Sequence, residues 1–215
     1  MSDKRGRVAV PPLTTARGFT VREVTPGDFA EARAVIVHVL DEDLKTGYVP
    51  QHHWDIDDMQ GTYLDNRRHA LFVAVDDASG RVIGTLAVRT DGPNSPPHPQ
   101  WLADRYAPDT VCQLVRAYIA REARRRGVAR ALVEAARRFI REEGRYDTIY
   151  LHTNPTVPGA EAFWRAMPTR EIFDSRRQEG AFGTNALHFE LDMLPPEPPA
   201  GPAGPVTQTP APATE

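Results

Sequence analysis

Cysteine is nearly missing from the 215-residue chain. Cys112 stands alone, so no internal disulfide can form, and a reducing cytoplasm is the expected compartment. Cys112 opens an apolar run and reads as core rather than as a nucleophile. Lysine is almost as scarce: of 26 basic residues only Lys4 and Lys45 are lysine, the mark of a GC-rich bacterial genome rather than of a function. No apolar run approaches the roughly 18 residues of a membrane span, and Met1-Ser2-Asp3-Lys4-Arg5 leads into no secretory apolar region. A basic excess is lacking too. The net charge is −3 and the pI about 6.2, which argues against a chain built to bind nucleic acid. His52, His53 and His69 are not close-set in the manner of metal ligands, so no metal site is expected. No internal repeat is present.

Proline and glycine are gathered at the ends, around a patterned middle of the right size for one domain with its own core. Residues 1–17 read as a disordered arm, too polar to bury anything. The domain is expected over 18–194. The tail at 195–215 holds eight prolines and reads as extended or disordered. Within the domain, Phe19 to Val24 suggests a strand. Thr25-Pro-Gly-Asp28 has the acid and proline of a helix start, and the helix should run to about Leu40. An acidic, aromatic region at 41–65 follows, expected to be partly helical. Leu71–Val75 and Val82–Val88 read as a hairpin. The proline-rich stretch at 91–110 carries Trp101 and Tyr106, and loops of that length are uncommon without a job. Strands are expected at 112–119, 147–153, 170–174 and 185–192, with a short helix over 158–167.

The most informative stretch runs from Ile119 to Val133. It reads as a strand end, a basic turn and a helix start. From Val128 the apolar positions are 128, 131, 132, 135, 136, 139 and 140, one stripe of a 3.6-residue period. A helix start offers unpaired N–H groups and the positive end of the macrodipole, which together can hold a phosphate. Small residues at Gly127 and Ala129 would admit a pyrophosphate close to the backbone, and the arginines beside them add charge-assisted donors.

That turn, Arg124-x-x-Gly127-x-Ala129, resembles the acyl-CoA-binding motif of the GNAT superfamily of N-acyltransferases. A second local resemblance lies further on, in Asn154, Ala160 and Trp164. The order of expected elements is also similar to that family over about 18–193. The resemblance implies a central mixed, mostly antiparallel sheet of six to seven strands, an α/β fold of the α+β kind. Its fourth and fifth strands should splay apart, with helices on both faces. It implies acetyl-CoA as co-substrate. The pyrophosphate would lie on Arg124, Arg125, Arg126, Gly127, Val128, Ala129 and Arg130. The pantetheine arm would pair like an added strand with Ala117, Tyr118 and Ile119, with Asn154 among the cofactor contacts and Trp164 packing against the arm or simply filling the core. A backbone N–H near Ala117 would polarise the thioester carbonyl. An amine would then attack directly, giving up its proton to a base.

Two departures leave the acid and base unassigned by the motif. The tyrosine acid frequent in the family is matched here by Trp164, whose indole N–H is no acid near neutral pH. A glutamate base found in some members is matched by Gln113. His152, near the end of the fifth expected strand, is the replacement candidate. Tyr150 shares its face by the two-residue period. A hydrogen-bonded core histidine is the plainer alternative for His152.

For the acceptor, residues 41–65 hold seven acids against Lys45, whereas 113–145 hold ten arginines against four glutamates. An acidic, aromatic wall with Trp54, Asp55 and Asp58 suits a cationic amine, although a solvated helix face has the same composition. The expected reaction is acetyl transfer to a primary amine of a small cationic acceptor. Protein N-terminal or lysine acetylation, and an acyl-CoA-binding GNAT-fold protein without catalysis, are the alternatives. A homodimer is possible.

Overall fold

The computed structural model describes residues 10–177 and 185–195. The apolar stripe of 128–140 becomes the face of helix α4 (Val128–Glu143), which buries Val128, Leu132, Val133, Ala135, Ala136, Phe139 and Ile140. Gly144 ends it in the left-handed conformation, φ 73°. The other helices are α1 (Phe29–Glu42), α2 (Pro50–Asp57), α3 (Gln100–Arg105) and α5 (Ala160–Arg165). The strands are β1 (Leu13–Thr15), β2 (Phe19–Glu23), β3 (Ala70–Asp76), β4 (Val82–Arg89), β5 (Val111–Ile119), β6 (Thr148–Thr153), β7 (Thr169–Asp174) and β8 (Leu187–Leu191).

These strands form one sheet in the order β1-β2-β3-β4-β5-β6-β8-β7, in which only β5 and β6 pair parallel. α4 packs against β2, β3 and β4, while α1 packs against β4 and β5. The sheet therefore separates two apolar layers. Phe72, Leu86, Leu114, Leu151 and Phe189 join α4 in one; Leu71, Val73 and Ala87 join Ile36 and Leu40 of α1 in the other. Covered on both sides, every residue of β4 is buried. Gly84 in β4 permits the close approach of α4, since a Cβ there would stand 3.0 Å from Val128 Cγ1 and 2.9 Å from Ile119 Cδ1.

The α/β architecture and mostly antiparallel sheet agree with the reading of the sequence, and the strand count is eight. The extra strand is β1, which lies inside the stretch expected as a disordered arm. Leu13–Thr15 pair with Phe19–Val21 across a tight turn. That correction has a local cause: the backbone groups of three residues are satisfied on the open edge of β2, for which no apolar run is needed. Residues 1–9 and 196–215 lie outside the described residues, as does most of the expected tail.

Between β5 and β6 the ladder runs from Val111↔Thr148 to Leu114↔Leu151 and stops. β6 continues along β8 as far as Thr153↔Leu187, and β5 continues along β4 as far as Ile119↔Gly84. On the side facing β6, residues 115–119 thus have no strand partner among the described residues. This is the expected splay, and it falls between β5 and β6 because β1 shifts the count by one.

Candidate active site

At the fork β5 is kinked. Thr85 pairs with Tyr118 and Ala87 with Val115, so Arg116 and Ala117 together oppose Leu86. An extra residue of this kind bends the strand and ends regular pairing. Arg116 takes a positive φ of 56°, an uncommon state for a side chain of its size. Its guanidinium holds it there. Nε donates to Asp55 Oδ2 at 2.9 Å, and Nη2 donates to Asp55 Oδ1 and, at 2.6 Å, to the His52 carbonyl. Asp55 also accepts from the Tyr63 hydroxyl at 2.5 Å and faces Arg89 at 3.4 Å. Burial alone would raise the Asp55 carboxyl. The hydrogen bonds and charge of Arg116, with Arg89 and Tyr63, overcome it and hold the pKa below the ordinary value.

One residue past the last β5–β6 pair stands His152. It shares a face with Gln113, Tyr150 and, on β8, its register partner His188. His98, from the stretch before α3, closes over both histidines, with ring centroids 5.0 Å from each. The Tyr150 hydroxyl lies 2.7 Å from His188 Nδ1 and 3.3 Å from His152 Nδ1, and Gln113 Nε2 lies 3.2 Å from His152 Nδ1. Gln113, Tyr150, His188 and His98 are buried, whereas His152 opens to solvent at the mouth of the fork. The protein crowded around His152, then His98 and the Arg116 charge, pull its pKa down. Burial, then His152 and His98, do the same to His188. Burial pushes the Tyr150 hydroxyl far up, so it keeps its proton. Among the described residues no group of His, Cys, Asp or Glu is arranged to hold a metal ion.

The far end of β5 leads into the basic turn. Gly127 precedes α4 with φ 87°. The first helical bond runs from the Ala131 N–H to the Gly127 carbonyl at 3.1 Å, leaving the N–H groups of Val128, Ala129 and Arg130 ahead of it. Arg125 and Arg130 are exposed. Arg124 is held by Asp43 and by the Ile119 carbonyl, and Arg126 by Asp76 at 3.0 Å and the carbonyls of Arg17 and Gly18. Arg17 reaches back to the Arg126 carbonyl at 3.2 Å and covers Gly127, where a Cβ would meet its Nη1 at 2.0 Å. A turn with free N–H groups, no side chain on its glycine and three guanidinium groups around it fits a pyrophosphate.

Residues 36–167 match the model of the Acetyltransferase (GNAT) family. The chain belongs to the GNAT acetyltransferase family. It is therefore an acyltransferase by class, in a family that generally uses acetyl-CoA as co-substrate. No curated protein matches it. Among solved structures, a GNAT-family acetyltransferase from Staphylococcus aureus is similar with a TM-score of 0.62 at 14% identity, over 82% of this chain and 99% of that one. A ribosomal-protein-alanine N-acetyltransferase from Brucella melitensis gives 0.54 at 16% identity, over 81% and 99%. A chimera of spermidine N-acetyltransferase SpeG from Vibrio cholerae and hSSAT gives 0.52 at 18% identity, over 81% and 95%. At these identities the likeness concerns the fold alone.

Within this GNAT fold several sequence expectations are redirected. Asp55 was expected to face the acceptor, but it is fully buried and committed to Arg116, Tyr63 and Arg89. Its neighbours are engaged as well: Asp43 by Arg121 and Arg124, Asp57 by Tyr48 and Arg33, and Asp58 by the Gly61 N–H. An acidic wall by composition is thus largely a set of internal ion pairs and caps. Trp164 is buried in the α4 layer against Phe163, the core-filling one of its two readings. Asn154 spends its side-chain oxygen on the backbone N–H and hydroxyl of Thr156, shaping its own loop. Ala117, Tyr118, Ile119, Gly127, Val128 and Ala129 stand on the strand edge and turn. His152, Tyr150 and Gln113 come together, and Trp54 on α2 is 48% exposed. Arg17, Arg116, His98 and His188 were not anticipated. The alternation His188, Glu190 on β8 was a usable signal for a shared face, but only once β8 is known to lie beside β6.

Proposed function

We propose that the protein transfers the acetyl group of acetyl-CoA to the primary amine of a small, cationic acceptor by direct attack in a ternary complex. The observation that carries this reading is the position of His152, exposed at the point where β5 and β6 part and next to the kinked, unpaired stretch at Arg116–Ala117. In this reading the N–H groups at Val128–Arg130, with Arg125, Arg130 and Arg17, take the pyrophosphate. Arg124 and Arg126, bound to Asp43 and Asp76, shape the turn. The edge of Ala117, Tyr118 and Ile119 takes the pantetheine amides. The kink at Arg116 aims a backbone N–H of Ala117 at the thioester carbonyl, a fixed dipole that stabilises charge as it develops. His152, kept neutral, accepts the proton of the attacking amine. Coenzyme A leaves as a thiolate, a tolerable leaving group without a strong acid.

For the acceptor, the support lies in aromatics more than in carboxylates. Trp54 on α2 and Trp101 on α3 are both about half exposed. α2 is tied to the fork through Asp55 and Arg116, and α3 adjoins His98, which touches His152. Indole faces attract ammonium groups, although Arg89 already lies over Trp54 at 5.0 Å. Trp101 is therefore the stronger candidate, with Asp58 kept as an acceptor-side residue, whereas Tyr150, fully buried, meets the site only through His152.

A thiol-release assay with acetyl-CoA over diamines, amino acids, aminoglycosides and peptides tests the reading. Turnover of small amines is expected. Turnover confined to peptides would overturn the small-acceptor assignment, and no turnover together with no thermal stabilisation by acetyl-CoA would overturn the reading as a whole.

A further inference from the structure

Around His152 there is one proton that can be placed by geometry. The buried Tyr150 hydroxyl has a single O–H and lies between two imidazole nitrogens, His188 Nδ1 at 2.7 Å and His152 Nδ1 at 3.3 Å. It can donate to only one of them. Two arrangements use both contacts of the hydroxyl; a third, in which Gln113 Nε2 donates to a bare His152 Nδ1, sets two lone pairs against each other between Tyr150 and His152. In the first, Tyr150 donates to His188 Nδ1 and accepts from His152 Nδ1–H, so the lone pair of His152 is on Nε2. In the second, His188 Nδ1–H donates to Tyr150, Tyr150 donates to His152 Nδ1, and His152 carries its proton on Nε2.

The distances favour the first arrangement. Hydroxyl donors give the shortest bonds, about 2.7–2.8 Å between oxygens, and N–H donors centre nearer 2.9–3.0 Å. The 2.7 Å contact therefore carries the O–H, and the longer contact to His152 is left for the N–H. His188 Nε2 and His98 Nδ1 are both buried without a protein partner among the described residues, and the two rings meet edge to face at 89°, an arrangement that either His188 tautomer permits. Gln113 fits once its amide is turned by half a rotation, which sets Oε1 rather than Nε2 beside His152 Nδ1–H. The two amide orientations have the same shape, and the hydrogen bonds decide between them.

We propose that Tyr150, His188 and Gln113 are positioning residues that hold His152 in its Nδ1–H tautomer, leaving Nε2 as the proton acceptor at the fork. The arrangement has the logic of a triad in which the orienting group is a neutral tyrosine–histidine pair rather than a carboxylate. When His152 Nε2 takes the amine proton, both ring nitrogens carry hydrogen, and Nδ1–H remains on Tyr150 and Gln113. No proton has to leave the cluster during the step. The proposal rests on the reading of His152 as base, but it makes a claim about ring protons that stands apart from activity.

Nitrogen-15 spectra of the histidine-labelled full chain at about pH 7.5, where neutral imidazoles dominate, read the tautomers directly, with His152→Ala and His188→Asn assigning the signals. The expected result is Nδ1–H for His152 and Nε2–H for His188. Tyr150→Phe should shift His152 toward a tautomer mixture. It should also lower kcat by about 10²-fold with the KM for acetyl-CoA unchanged. His188→Asn, whose amide oxygen can stand in for Nδ1, should keep the tautomer and most of the activity; His188→Leu should behave as Tyr150→Phe. Melting curves check that each variant is folded. Finding Nε2–H on His152 in the wild-type protein, or an unmoved tautomer in a folded Tyr150→Phe, would overturn the proposal. Full activity in His152→Ala would instead remove the base assignment, a different failure with a different readout.

Discussion

A single missing Cβ governs the turn before α4. Gly127 has φ 87°, and a side chain there would also displace Arg17. Gly127→Ala should cost about 1 kcal/mol for the left-handed conformation and weaken acetyl-CoA. Gly127→Glu should abolish the rise in melting temperature expected with acetyl-CoA, because a carboxylate would stand where the phosphate is proposed to bind. Thermal shift with and without acetyl-CoA measures both. The turn was legible in the sequence because its parts are local: small residues two apart, arginines beside them, a helix stripe after. The state of each arginine was not legible. Arg124 is neutralised by Asp43, 81 residues away, and Arg126 by Asp76, 50 residues away. Arg125→Ala should accordingly raise the KM for acetyl-CoA with kcat unchanged, whereas Arg124→Ala should lower the melting temperature first. Initial-rate kinetics and a melt on the same preparations separate the two.

Between elements, the most consequential link is from α2 to β5. Asp55 fastens Arg116, and with it the kink of β5 at the fork. Removing one partner of a buried ion pair leaves the others unpaired, which costs about 3–5 kcal/mol. Asp55→Asn should therefore lower stability in a urea titration by about that amount and lower kcat through the kink, leaving the KM for the amine nearly unchanged. A selective rise in that KM would return Asp55 to the acceptor side. Elements with a strong period were readable beforehand, α4 from its stripe and β3 and β4 from their β-branched runs. β1 was not, since three residues carry no period and their pairing depends on β2. Asp55 was assigned to the acceptor for a related reason: composition counts charges, while function depends on which charges are already answered. Arg116 sat in a strand as one more residue of mixed character, and nothing nearby in sequence announced its partner 61 residues upstream.

For the molecule as a whole, the histidines set the response to acid. His53, His69, His98 and His188 all have pKa values lowered mainly by burial. The unfolded chain therefore binds protons first as pH falls below about 6.5, so stability should decline from there toward pH 4 and be flat above neutrality. Carboxylates such as Asp28, held at about 2 chiefly by its hydrogen bonds to Arg22, contribute stability that is lost only at lower pH, below about 4. Melting temperatures across this range should show two separate declines, and His98→Gln should shallow the upper one alone. The parting of β5 from β6 has a consequence for traffic. An opening between two strands faces both layers of the sheet, so in the proposed reaction donor and acceptor would not queue for one entrance, and neither product would wait for the other to depart. Cys112 is buried beneath this wall, with its thiol pKa pushed far up by burial, and cannot serve as a parking place for the acyl group. Double-reciprocal plots at several fixed concentrations of the second substrate should converge; parallel lines would mean that one substrate leaves its cargo behind before the other arrives.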